Sequence, residues 1–103
     1  MSTELDIDVV IDEKIEKVFK EPGKYNVIML NDDVTPVEWV MGILKDIFKH
    51  SDASAQALTM KIHNDGSAVV GTYLYEIAEQ KGVEATNASR NHGFPLVLKV
   101  EAE

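Results

Sequence analysis

Val27-Ile28-Met29-Leu30-Asn31-Asp32-Asp33-Val34-Thr35-Pro36-Val37-Glu38 is the stretch that decides the fold. Up to Leu30 the chain reads as a strand over 24–30. Tyr25, Val27 and Met29 alternate against Asn26 and Ile28, and the run finishes fully apolar. From Pro36 the period changes. Val37, Val40, Met41, Leu44, Ile47 and Phe48 recur at helical spacing and form one apolar face. Local chemistry marks the switch: Thr35 is the expected N-cap, Pro36 the first helical residue, and Glu38 the reciprocal partner of a capping box. A cap accounts for Thr35, Pro36 and Glu38. It leaves Asn31, Asp32 and Asp33, which set acceptor-rich side chains beside an apolar edge. That arrangement suits a cationic group attached to something hydrophobic.

Downstream, His50-Ser51-Asp52 breaks the first helix, and Ser51 or Asp52 caps the next. The second helix runs through Ala55, Leu58, Thr59 and Ile62 to about His63, and Asn64-Asp65-Gly66 ends it, glycine being favoured just past a helix. A second strand follows over 67–72, centred on Val69 and Val70. The third helix is expected from Tyr73 to about Asn91, packed through Leu74, Ile77, Ala78, Ala85 and Ala88. Gly82 inside it costs about 1 kcal/mol relative to alanine. Gly93 and Pro95 stop this helix, and 96–100 is the last strand. The order is strand, helix, helix, strand, helix, strand. Three strands are too few for a doubly wound fold. The economical solution is a small α+β domain with three helices on one face of a three-stranded antiparallel sheet.

Upstream, residues 1–21 read as a separate acidic extension that ends at the Pro22-Gly23 turn signal. Val9, Val10, Ile11, Ile15, Val18 and Phe19 give it some helical character, and it is expected to be a mobile arm. Residues 22–103 form the core domain. A chain of 103 residues has room for one core and not for two. The net charge of −8 argues against nucleic acid, whose phosphates need a basic footprint, and against an anionic membrane surface. It favours basic or amine-bearing partners and a chain that is monomeric when alone. No apolar run approaches the roughly 18–20 residues of a membrane span, and the first residues lack a signal-peptide core. The chain has no cysteine, which excludes disulfides, thiolate catalysis and cysteine-based zinc sites and fits a cytoplasmic location.

The candidates for chemistry are Asn31, Asp32, Asp33 and His63. A plainer reading of the first three is a polar turn whose charge suits a helix N-terminus. For His63 the plainer reading is a helix-end residue bonded to a carbonyl, and this applies still more strongly to His50 and His92. Metal binding is poorly served. The two aspartates are adjacent, no later glutamate completes a calcium loop, and no histidine pair has zinc spacing. No cofactor is implied. An enzyme would need an oriented base and a nucleophile or a phosphate cradle, and neither is evident. A free α-amino group is better matched. It carries three donors and a positive charge, which amide oxygen, carboxylate and neutral imidazole can accept. An internal peptide nitrogen has one donor and no charge. Apolar residues beside the acceptors would take the first side chain, and fully burying a Leu or Phe is worth roughly 1.5–3 kcal/mol. Together these requirements describe a reader of peptide N-termini.

At this point the residues are recognisable. Tyr25 to Pro36 resembles the signature of ClpS, the bacterial N-end-rule adaptor family. Further matches follow in the same order: His63 leading into Gly66, Gly71, Glu76-Ile77-Ala78-Glu79 with Lys81, and Pro95-Leu96. The resemblance covers about residues 13–101. It implies a non-catalytic adaptor that delivers proteins with N-terminal Leu, Phe, Tyr or Trp to the AAA+ unfoldase ClpA, or a homologue, for degradation by ClpP. By the resemblance, Asn31, Asp32 and His63 hold the α-amino group, and Asp33 and Thr35 border the pocket and support the first peptide group. Val37, Val40, Thr59, Ile62 and Leu96 line the side-chain cavity. Glu76 and Lys81 face the unfoldase, and the arm is the extension that it engages.

Two residues depart from the family pattern. Val37 stands where many members have a gating methionine, and Thr59 where an apolar residue, often methionine, is usual. Valine is shorter and β-branched, so a stiffer, wider mouth is expected. Threonine adds a hydroxyl to an apolar wall, which is costly if left unpaired. A preference shifted towards the larger aromatics follows. Trp39, off the apolar stripe, reads as partial packing and not as a ligand contact. The alternative function is an interaction domain on the same fold that modulates or blocks the unfoldase without recognising amines. Fold alone does not separate the two; the intact Asn31, Asp32 and His63 set favours the amine reader.

Overall fold

The computed structural model describes residues 23–103. The expected arm over 1–21 therefore lies outside the described residues, as does the first residue of the core. The elements are β1 (Lys24–Leu30), α1 (Val37–Asp46), α2 (Asp52–Asp65), β2 (Ser67–Leu74), α3 (Tyr75–Asn91) and β3 (Leu98–Ala102). They form the expected α+β domain. β1 is the centre of a three-stranded sheet in the order β2-β1-β3, antiparallel to both neighbours. Val27 and Met29 of β1 are fully buried. They share one core with Val40, Ile43 and Leu44 of α1, Ala55 and Ile62 of α2, Ala68 and Val70 of β2, and Ala78 and Ala85 of α3. The opposite sheet face is left to Asn26, Ile28, Thr72 and Lys99, which are half-buried or exposed. There the Thr72 hydroxyl donates to Asn26 Oδ1 at 2.7 Å.

α3 differs from its expected packing. Leu74 ends β2 and is not helical, and both Leu74 and Ile77 are exposed. The buried face is Ala78, Gly82, Ala85 and Ser89. These residues recur at helical spacing and are small, so the helix axis comes close to the sheet. Hydropathy alone pointed to the large residues of this segment, whereas close approach selects the small ones. Ser89 is fully buried, and its hydroxyl is paired twice. It donates to the Ala85 carbonyl at 2.8 Å and accepts from Trp39 Nε1 at 2.9 Å. The Trp39 ring lies against His92 and Phe94, with centroids at 4.4 and 5.4 Å. Trp39 is therefore a packing residue that ties α1 to the end of α3.

β2 carries a bulge. Val27 pairs with Gly71 but Ile28 pairs with Val69, so Val70 is the extra residue. Its carbonyl accepts from His50 Nε2 at 2.6 Å. A carbonyl only accepts, so this nitrogen carries the proton. At Gly71 a side chain would run into the Tyr73 ring where it now lies, so a larger residue there requires that ring to move. The Lys81 ammonium lies 5.4 Å from the centre of the Tyr73 ring and donates to the Ile47 carbonyl at 2.7 Å. It thereby satisfies a carbonyl at the C-terminal end of α1, where cations are favoured.

Gly82 has space for a methyl group: a Cβ there would sit 3.5 Å from Val100 Cγ2, an ordinary contact. Gly82→Ala is expected to stabilise the fold by about 0.5–1 kcal/mol through helix propensity. The check is a higher urea midpoint with an unchanged m-value.

Candidate functional site

The strand-to-helix switch is built differently from the expected cap. The helix has no side-chain cap at its N-terminus, and Pro36 is the capping residue. The Val40 N–H bonds to the Pro36 carbonyl at 3.1 Å. Thr35 turns backwards. Its hydroxyl donates to Asp32 Oδ2 at 2.8 Å, while its N–H and that of Val34 donate to Asp32 Oδ1 at 2.7 and 2.8 Å. Asp32 is thus the residue that brackets the turn, and the Thr35–Glu38 box does not form. The reason is geometric. An aspartate three residues before Thr35 reaches the amides of a tight turn without strain, and the Thr35 hydroxyl is oriented onto that carboxylate.

A carboxylate has about four acceptor sites. Three on Asp32 are filled, which leaves one lone pair on Oδ2. Partial desolvation pushes the Asp32 carboxyl up. The bonds from the Thr35 N–H, the Thr35 hydroxyl and the Val34 N–H outweigh it, so the pKa lies below the ordinary carboxylate value. Asp32 is ionised at neutral pH and held in one orientation.

Two backbone bonds fix what lies beside it. The Asn31 N–H donates to the Gly66 carbonyl at 2.9 Å, and the Leu30 N–H to the Val97 carbonyl at 3.0 Å. Gly66, with φ 88°, closes α2 in the left-handed conformation, and its N–H returns to the Ile62 carbonyl. The end of β1 is therefore pinned between the end of α2 and the lead-in to β3. On α2, Thr59, Ile62 and His63 share one helical face. Leu96 lies just ahead of β3.

These residues surround a cleft of about 250 Å³, just below the roughly 300–1,000 Å³ usual for small-molecule sites. It is large enough to take a single side chain. Its lining includes Asn31, Asp32, Asp33, Thr35 and His63, together with Val37, Val40, Thr59, Ile62 and Leu96. Every residue named from sequence as amine-holding, bordering or side-chain-lining is therefore brought to this one place. Leu30 also lines it and was not singled out, because it read only as the apolar end of a strand. The floor is buried: Val40, Ile62 and Leu96 are 8%, 3% and 1% exposed. The rim is open, with Asn31, Asp33, His63 and Val37 all exposed. The Thr59 hydroxyl donates to the Ala55 carbonyl of its own helix at 2.7 Å. Its polar atom is satisfied, so the wall carries no unpaired hydroxyl. His50 and His92 each bond to a carbonyl, whereas His63 lines the cleft.

Glu76 and Lys81 lie on α3, away from the cleft. Glu76 is exposed, and Lys81 is half-buried with its ammonium on the Ile47 carbonyl. Among the described residues no group of three or more His, Cys, Asp or Glu could hold a metal ion. No helix among them is long and apolar enough to cross a membrane.

The family model described as ATP-dependent Clp protease adaptor protein ClpS matches residues 20–99. The chain belongs to the ClpS family. A relative from Treponema denticola, named ATP-dependent Clp protease adapter protein ClpS, is 45% identical over 87 residues, covering 84% of this chain and 86% of that protein. An Escherichia coli O1:K1 relative of the same name is 34% identical over 97 residues, covering 94% and 92%. Among solved structures, Agrobacterium tumefaciens ClpS2 bound to L-phenylalaninamide matches with a TM-score of 0.78 and 42% identity. That match covers 81% of this chain and all of the other. Members of this family are adaptors of the Clp protease.

Thr35→Val removes the hydroxyl donor from Asp32 Oδ2. The Asp32 pKa should rise towards the ordinary carboxylate value, which NMR titration of its carboxyl carbon would follow. The native pKa is depressed, so its stabilisation is present above the unfolded pKa and lost as the pH falls through the folded one. The variant should therefore lose less stability than the parent over that acid range.

Proposed function

We propose that this chain is an N-degron adaptor. It binds the free α-amino group and bulky hydrophobic side chain of proteins that begin with Leu, Phe, Tyr or Trp. It then hands them to a ClpA-type AAA+ unfoldase for degradation by ClpP, performing no catalysis itself. The setting is the cytoplasm, with the exposed Glu76 and the α3 surface near Lys81 turned to the unfoldase. The observation that carries this reading is the cleft itself: three acceptor side chains, Asn31, Asp32 and His63, stand at the mouth of an apolar floor. An ammonium has three donors. Asn31 offers an amide oxygen, Asp32 its charge and remaining lone pair, and neutral His63 a ring nitrogen. Asp33 and Thr35 border the site, where the first peptide group would lie. The side chain enters over Val37 and Val40 and meets Thr59, Ile62 and Leu96. L-phenylalaninamide, the ligand named for the Agrobacterium structure, has the two features this cleft matches, a free α-amine and a benzyl group.

The deciding experiment measures a fluorescent peptide beginning with Phe against the same peptide acetylated at its N-terminus. The free amine should bind about a hundredfold more tightly, since charge-assisted hydrogen bonds are lost on acetylation. Binding of neither, or of both alike, would transfer the chain to the reading of a domain that occupies the unfoldase without amine recognition. His63→Phe removes the ring-nitrogen acceptor and should weaken binding of the Phe-initial peptide about tenfold. Unchanged affinity would remove His63 from the amine contact.

Val37 is 60% exposed at the mouth. As a short, β-branched residue it leaves the entrance wider and stiffer than a methionine would. Together with Thr59 it should favour the larger aromatics. Val37→Met with Thr59→Met is expected to move the ranking on a peptide array from Trp towards Leu. An unchanged ranking would mean that these two positions do not set specificity.

A further inference from the structure

β3 is an edge strand, and among the described residues it pairs only with β1. The direction of its backbone groups follows from the ladder. The Leu30 N–H donates to the Val97 carbonyl and the Glu103 N–H to the Lys24 carbonyl, both at 3.0 Å. In an antiparallel ladder such hydrogen-bonded pairs recur at every second residue. Residues 97, 99, 101 and 103 therefore turn their N–H and C=O groups towards β1, and Leu98, Val100 and Ala102 turn theirs outward. Leu98 and Val100 also face the helices, opposite the buried Met29 and Val27. Beside them a groove of about 250 Å³ runs between α3 and β3, past Gly82, Val83 and Thr86. Val83 is 52% exposed. On the opposite edge, β2 is interrupted by its bulge, with the Val70 carbonyl taken by His50.

We propose that the β3 edge is a self-association surface, on which a second copy of this chain pairs antiparallel about a two-fold axis at Val100. The strand Leu98-Lys99-Val100-Glu101-Ala102 is complementary to itself in that register. Val100 meets Val100, Leu98 meets Ala102, and Lys99 meets Glu101 on both sides of the axis. Backbone phase agrees, because the residues with outward N–H and C=O groups are the ones that become hydrogen-bonded partners. Lys99 and Glu101 then form a non-hydrogen-bonded pair, the kind whose side chains come closest. Shifting the axis to Lys99 or to Glu101 sets like charges face to face, so charge selects Val100 as the centre. On the helix side the groove also carries Glu79 and Asn87, so the register is set by the strand edge and not by an apolar seam. No residue of 98–102 lines the amine cleft, so both clefts stay open. The net charge of −8 on each copy opposes association. The dimer is therefore weak, and the chain is single in dilute solution.

Sedimentation equilibrium of the full chain from micromolar to millimolar concentration tests this, with amide exchange followed by NMR over the same range. A monomer–dimer equilibrium is expected. The amides of Leu98, Val100 and Ala102 should gain protection as concentration rises, while those of Lys99 and Glu101, bonded to β1, are protected throughout. Lys99→Glu or Glu101→Lys alone should weaken the dimer about tenfold, and the two together should restore it. Val100→Pro removes an outward N–H without touching the β1 ladder and should leave only monomer. A single-chain mass at every concentration overturns the proposal. So does protection of the outward amides in a monomer, which would assign that edge to another part of the chain, or a double charge swap that fails to restore pairing.

Discussion

The Asp32 carboxylate is the constraint on which the site depends. It holds the Val34 and Thr35 amides and the Thr35 hydroxyl at 2.7–2.8 Å. Those bonds turn the chain from the central strand into α1 within a few residues. They also decide the chemistry Asp32 has left to offer: one lone pair, a full negative charge and a single orientation. A freely rotating carboxylate would have to be ordered when a ligand arrives, and this one is ordered in advance, which lowers the entropic cost of binding. Under the proposed function, local structure and recognition would be served by the same three hydrogen bonds.

The rest of the cleft is supplied by elements far apart in sequence. Gly66 accepts the Asn31 amide at the end of α2, and Val97 accepts the Leu30 amide ahead of β3. These ties bring His63 and Leu96 to the end of β1. The small-residue face of α3 acts at longer range. Ala78, Gly82, Ala85 and Ser89 allow the helix to lie close on the sheet, and Trp39 anchors α1 to it through Ser89. The floor of Val40, Ile62 and Leu96 is buried and apolar, and it is the removal of apolar surface from water that would make burial of a ligand side chain there favourable.

The readings that held were those with a strong local cause. Alternation over 24–30 and the helical stripe from Val37 to Phe48 are set by which side chains avoid water. Gly66 was legible as a helix end because only a residue tolerant of positive φ is comfortable there. The readings that failed were choices between competing local partners. Thr35 was expected to cap forwards and is drawn backwards by Asp32. Leu74 and Ile77 were expected to pack and are displaced outward, because the sheet selects small residues on α3. The β2 bulge at Val70 left no mark that alternation could reveal, and its partner His50 lies twenty residues away.

By itself the sequence determined the element order, the single core, the acidic surface and, through the family it resembles, the identity of the lining residues. These follow from periodicity, charge and motif, which are properties of neighbours along the chain. Only the tertiary structure decided that Asn31, Asp32, His63 and Leu96 meet at one cleft and that Asp32 has a single acceptor site free. It also decided that the Thr59 hydroxyl is satisfied by its own helix and that Lys81 holds the end of α1. The physical reason is the same in each case. A hydrogen-bonding group chooses among all the partners that folding brings within about 3 Å, and those partners are set by packing between distant segments.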